Sequence, residues 1–158
     1  MSQDTLNLIH DRQNRGYTKL GWLDSDRTFS LGGLFDPEPM RFCTLRLIHD
    51  DRVLPGSGFG THSHHDMEIL TYALEGAMEH QDSLGNRTGT YPGDAQMMSA
   101  GAGITHREFN FSETNSAHFL QIWIILDAEE LSPRDEQRIF PLKKRVYLIF
   151  RSIGIAIL

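Results

Sequence analysis

The sequence predicts an all-β fold of antiparallel strands, a sandwich or a small barrel. Proline and glycine recur roughly every ten residues, and the short runs between them are rich in β-branched and aromatic residues. No long stretch repeats its apolar residues with the period of a helix. A chain of 158 residues is about the size of one typical domain, so a single domain is expected.

The strands follow one another closely enough to pair as sequential antiparallel neighbours. Between two of them, residues 82–86 have the polar and glycine content of a hairpin loop, and Pro92 presets φ for a turn over residues 91–94. Ser132 and Pro133, followed by acidic residues, predict a short helix of a turn or two near the C-terminus. The clearest predicted strands are 42–49, 68–74, 77–81, 89–91, 95–99, 104–109 and 117–126.

Charge and cysteine content narrow the class of protein. The formal net charge of −6 and the lack of a basic stripe argue against direct nucleic-acid binding. Cys43 is the only cysteine, which excludes an intrachain disulfide and favours a reducing, cytoplasmic location. The N-terminus lacks the features of a secretion signal.

The C-terminal segment 146–158 is almost entirely apolar. It is too short to cross a bilayer and is interrupted by Arg151, so no membrane span is predicted. We expect a terminal strand or a segment buried in a dimer, with contact to a membrane surface as the alternative.

Two pairs of polar residues predict a metal site. Side chains alternate along a strand, so His62 and His64 point to one side if that stretch is extended. His106 and Glu108 repeat this spacing beyond the Pro-Gly-Asp turn. Three imidazoles and one carboxylate leave open positions on a six-coordinate ion, and this ligand set suits Fe(II), Mn, Ni, Cu or Zn better than Ca or Mg.

Other polar residues on the predicted strands are less informative. Asp66 and Glu68 share the parity of the first pair, whereas His65 faces the other way. His80 and His118 are expected to be core or surface histidines with ordinary hydrogen-bond partners. Methionines at strand positions are expected to fill the core, although a pocket for a flat aromatic ligand is the alternative. These are Met67, Met78, Met97 and Met98.

The strand that contains Phe119, Gln121 and Trp123 places all three on one face. That face either packs in the interior or forms the wall of a pocket. Both interpretations stay open from the sequence.

These motifs resemble those of a known family. The pattern Gly56-x5-His62-x-His64-x3-Glu68 matches the first cupin motif, and a lengthened second motif runs from Pro92-Gly93-Asp94 to His106-x3-Asn110. More narrowly, GFGTHSHHDMEILTYALEGAMEHQDSLGN and PGDAQMMSAGAGITHREFN resemble the pirin family, including bacterial members described as quercetin 2,3-dioxygenases. The likeness covers about residues 10 to 140.

The resemblance implies a cupin fold, the double-stranded β-helix or jelly roll. It also implies one divalent metal, usually iron as Fe(II), held by the positions of His62, His64, His106 and Glu108, with Glu68 nearby as a supporting residue. Pirin-family chains normally contain two cupin domains. We therefore expect residues 1–140 to be the N-terminal cupin domain and residues 141–158 to be an apolar tail, with the second cupin domain absent. The face that normally packs on the second domain would then be exposed, and we expect a homodimer to cover it.

The function implied by the resemblance is a metal-dependent dioxygenase. Its substrates would be a small, planar, hydroxylated aromatic such as a flavonol, and dioxygen, with Glu108 as the catalytic base. The main alternative is a non-catalytic, metal-binding regulatory protein that contacts a protein partner. A cupin isomerase or hydrolase with the same ligands, or a metal-retaining remnant of a longer enzyme, are further possibilities.

Overall fold

The computed structural model describes residues 15–28 and 43–140, and every regular element in that part of the chain is a β-strand. No helix that could span a membrane occurs among these residues. The strands are β1 Gly16–Leu20, β2 Leu23–Arg27, β3 Leu45–Val53, β4 Gly58–His64, β5 Met67–Glu75, β6 Met78–Asp82, β7 Arg87–Thr90, β8 Asp94–Ser99, β9 Ile104–Phe109, β10 Ala117–Ile125 and β11 Arg134–Ile139.

The strands form two antiparallel sheets. A seven-stranded sheet has the order β1-β2-β3-β10-β5-β8-β11, and a four-stranded sheet has the order β4-β9-β6-β7. Apolar residues from both sheets meet between them: Phe119 of the larger sheet clusters with Met78 of the smaller, and Ile69 clusters with Ile104. The all-β antiparallel class is thus confirmed, while closure into a barrel stays a prediction.

The predicted strands 68–74, 77–81, 89–91, 95–99, 104–109 and 117–126 all occur, with shifts of a few residues at their ends. Strand β3 begins at Leu45, and Phe42 of the predicted strand lies outside the described residues. The strand predictions did not include β1 and β2, whose sequences GYTKL and LDSDR are largely polar. These two strands extend one edge of the larger sheet; β1 is partly exposed, whereas β2 buries Leu23 and Ser25.

The predicted helix at Ser132 and Pro133 is wrong. Residues Arg134–Ile139 form β11, which pairs with β8 from Arg134 opposite Ser99 to Ile139 opposite Asp94. Local capping signals favoured a helix. If residues 134–139 were helical, however, the row of backbone N–H and C=O groups on the outer side of β8 would lack hydrogen-bond partners from this segment. A strand satisfies that row, and Pro133 comes just before the first paired residue, where its missing N–H costs nothing.

Both predicted turns are present. Asp82 closes the hairpin between β6 and β7 by accepting hydrogen bonds from the backbone N–H groups of Leu84 and Asn86, at 2.9 and 3.0 Å. Gly93 adopts a φ of 93°, and the N–H of Asp94 donates to the carbonyl of Tyr91 over 2.8 Å. The C-terminal segment 141–158 lies outside the described residues.

Candidate metal centre

Strands β4 and β9 bring three histidines together on the inner face of the smaller sheet. His62 and His106 are direct partners in the register of these strands, and a register shift precedes His62. Ligand nitrogens of His62, His64 and His106 all lie within 4.8 Å of one another. The two i,i+2 motifs that the sequence singled out therefore converge at one site.

The hydrogen bond of His62 to the backbone leaves its other ring nitrogen unprotonated and able to bind a metal. Its Nδ1 lies 2.8 Å from the carbonyl oxygen of Gly60, which can only accept, so Nδ1 carries the proton and Nε2 has the lone pair. That Nε2 lies 2.9 Å from Nε2 of His106. Backbone carbonyls commonly fix metal-binding histidines in this way.

Each of the other two imidazoles has a buried nitrogen without a hydrogen-bond partner among the described residues, Nε2 of His64 and Nδ1 of His106. Burial lowers the pKa of His64 to about 4, and the neighbouring His62 adds to the shift. Burial lowers the pKa of His106 to about 2, with smaller contributions from the neighbouring histidines. Both rings are therefore neutral at pH 7, which is the form that binds a metal.

The spacing fits a metal ion. Two nitrogens bound to one ion at about 2.1 Å and at right angles lie roughly 3.0 Å apart. The two Nε2 atoms of His62 and His106 are separated by 2.9 Å. Buried polar atoms without partners are uncommon in proteins, and an ion that takes the free lone pair of His64 would account for one of them.

Glu108 lies on the same strand and the same inner face as His106. Its carboxylate does not belong to the group of three histidine nitrogens that lie within 4.8 Å of one another. The side chain is buried, and both of its oxygens accept from Nε2 of Gln121, at 2.9 and 3.0 Å. Burial raises the pKa of Glu108, and the hydrogen bond from Gln121 acts in the opposite direction.

Gln121 is itself fixed by Trp123. The indole Nε1 of Trp123 donates to the side-chain oxygen of Gln121 over 2.9 Å, which turns the amide nitrogen towards Glu108. The same indole ring lies edge-on to His64, with 5.0 Å between ring centroids. Gln121 and Trp123 therefore form a wall of the site, one of the two interpretations that the sequence left open.

The model of the family described as Pirin matches residues 9–124. The chain belongs to the pirin family. The quercetin 2,3-dioxygenase of Escherichia coli K12 is 53% identical over 132 residues, which make up 84% of this chain and 57% of that protein.

Solved structures agree. The crystal structure of YhhW from Escherichia coli superposes with a TM-score of 0.82 at 51% identity, covering 84% of this chain and 56% of that one. YhhW has also been solved as a bacterial pirin in complex with nickel(II), which superposes with a TM-score of 0.81. This pirin chain spans just over half the length of these relatives.

The structure changes the interpretation of several other residues of this pirin. Asp66 has a positive φ of 48°, which breaks the alternation between β4 and β5. Glu68 consequently lies on the opposite face of its strand from Ile69, away from the three histidines. Asn110, which completes the second motif, is structural, because its Nδ2 donates to the carbonyls of Val53 and Asn115.

His118 has the ordinary partner that the sequence predicted, with its Nε2 2.7 Å from a carboxylate oxygen of Asp50. Met78 and Met98 lie in the core as expected. His80 is buried in the core as expected, but within the part of the chain that the structure describes neither of its ring nitrogens has the hydrogen-bond partner that was expected. The signal that sequence reasoning passed over is the spacing of His80 and Asp82, the same i,i+2 pattern as in the metal site.

Proposed function

We propose that this pirin is a metal-dependent dioxygenase that opens a flavonol-like, hydroxylated aromatic substrate with dioxygen. The observation that carries the proposal is the convergence of ring nitrogens of His62, His64 and His106 beside the buried carboxylate of Glu108, with His64 and His106 neutral at pH 7. Further support comes from the relatives named quercetin 2,3-dioxygenase.

His62, His64 and His106 would hold the ion, with Glu108 as the fourth ligand, and iron is our choice of metal. When bound, a divalent ion in this setting lowers the pKa of a hydroxyl group next to it and supplies a site for dioxygen chemistry. An imidazole that binds a metal through its lone pair contributes no charge, so Glu108 is the proposed ligand whose charge determines how the site handles protons.

Glu108 is proposed to act as the base that removes the proton of the substrate hydroxyl. A carboxylate that is poorly solvated accepts a proton more readily than one in water, and burial raises the pKa of Glu108. Gln121 donates to both carboxylate oxygens and keeps the carboxylate oriented. Trp123, which borders His64, offers an aromatic surface for a planar ligand.

Metal content is the first test. We expect about one iron per chain in the purified protein and its loss in His64→Ala. His65→Ala is a matched control, since His65 is an exposed neighbour that pairs with Asp66 at 2.7 Å and shares no ligand role. Retention of a full equivalent of iron in both His64→Ala and His106→Ala would contradict the assignment.

Dioxygen uptake with quercetin is the second test. We expect uptake with the metal-loaded protein and its loss in Glu108→Gln, which keeps the shape of the side chain but removes the base. Normal turnover by Glu108→Gln would show that another group removes the proton. Bound metal without any uptake would instead favour the regulatory function in which a pirin contacts a protein partner.

A further inference from the structure

A second group of potential metal ligands lies between the two sheets. It consists of His80 and Asp82 on β6 of the smaller sheet and Asp135 on β11 of the larger sheet, with one ligand atom from each within 4.8 Å of the others. The group includes none of the three histidines of the first site. It exists only because residues 134–139 form a strand at the edge of the larger sheet.

The burial of His80 without hydrogen-bond partners indicates a bound ligand. Its side chain is 2% exposed, and neither Nδ1 nor Nε2 has a hydrogen-bond partner within residues 15–28 and 43–140. An imidazole in water makes hydrogen bonds at both nitrogens, so burying it without any hydrogen bond is unfavourable. A side chain in this state next to two carboxylates indicates that something else binds there.

Both carboxylates retain a free coordination position. Asp82 accepts two backbone N–H groups at Oδ1 and the amide of Asn86 at Oδ2, which leaves a second lone pair on Oδ2. Asp135 accepts from the amide of Gln96 at Oδ1 only, which leaves Oδ2 open. Burial raises the pKa of Asp135, and the nearby charge of Asp82 adds to the shift.

The spacing accommodates an ion with little movement. Three atoms no more than 4.8 Å apart share a point that lies within about 2.8 Å of each. Metal–ligand distances of about 2.0–2.2 Å for zinc are therefore reached when each side chain moves inwards by roughly 0.6–0.8 Å. Two carboxylates and one neutral imidazole around a divalent cation give a neutral cluster, which removes the cost of burying two like charges.

We propose that His80, Asp82 and Asp135 form a second divalent-cation site, distinct from the site of His62, His64 and His106. Its mixed nitrogen and carboxylate ligands suit a transition metal such as zinc. A cleft of about 300 Å³ is lined by Asp82 of this group and by His106 of the first site. An ion bound here would tie β6 to β11 and so link the two sheets.

Zinc binding to the full chain tests the proposal, independently of catalysis. The variant His62→Ala/His64→Ala removes two ligands of the first site, and we expect it to keep one zinc per chain after dialysis. Adding Asp135→Asn to this variant should lower its zinc affinity at least tenfold, so that the zinc is lost on dialysis. Glu136→Gln in the same background is the matched control, since Glu136 is an exposed neighbour on β11 that pairs with Arg138. The control should retain the zinc.

Anomalous scattering from zinc-soaked crystals of the wild-type protein locates the ions directly and does not depend on any variant. We expect two peaks, one of them between His80, Asp82 and Asp135. A peak at the three histidines alone would overturn the second site and leave the proposed function intact. Unchanged zinc binding after the Asp135→Asn substitution would also overturn it.

Discussion

Replacing Gln121 with leucine should destabilise the metal-free protein by about 3 kcal/mol. The substitution removes both hydrogen bonds to the buried Glu108 and leaves the indole N–H of Trp123 without its acceptor. Each buried polar group that loses its partner costs about 1–3 kcal/mol, and two groups are affected here. Leucine fills a similar volume, so a cavity adds little to this figure.

Urea denaturation followed by circular dichroism measures the change in the free energy of unfolding, and the thermal midpoint should fall by roughly 10 °C. The companion variant Glu108→Leu/Gln121→Leu replaces both partners by apolar groups. It should be less destabilised than Gln121→Leu alone, because no buried carboxylate is then left without donors. A Gln121→Leu protein within about 0.5 kcal/mol of wild type would refute the hydrogen-bonded chain.

Three further predictions follow from other parts of the molecule. The metal-free protein should lose stability as the pH falls below about 6.5. The unfolded chain then binds protons that the buried His64 and His106 do not take up, because their pKa values are lowered to about 4 and about 2. A free energy of unfolding that is constant from pH 7 to pH 5 in urea titrations would contradict this. Gly58→Ala should reduce both stability and metal content, since a Cβ at this position would overlap the backbone carbonyl of Glu108 and push β4 away from β9. Gly60→Ala is the control: its Cβ would meet nothing within 4 Å, so both stability and metal content should be unchanged. The homodimer predicted from the sequence should give twice the chain mass in light scattering, and a constant monomer mass over a wide concentration range would exclude it.

Much of the candidate metal site was predictable because it rests on a local rule. Alternation along a strand places His62 with His64 and His106 with Glu108, whatever the rest of the chain does. The same rule failed at Glu68, since the left-handed conformation of Asp66 interrupts the strand and reverses the faces that follow. A residue other than glycine in that conformation is uncommon, and although Asp adopts it more readily than most residues, its presence at position 66 alone does not predict it.

The all-β class and the turns were likewise determined by the sequence alone, through the spacing of glycine and proline and the chemistry of the turn residues. Only the tertiary structure decided that residues 134–139 form a strand, that Gln121 and Trp123 orient Glu108, and that His80 is buried opposite Asp135. These features depend on which backbone and side-chain groups from distant parts of the chain need a partner. Such needs arise only when the two sheets pack together, so no local pattern encodes them.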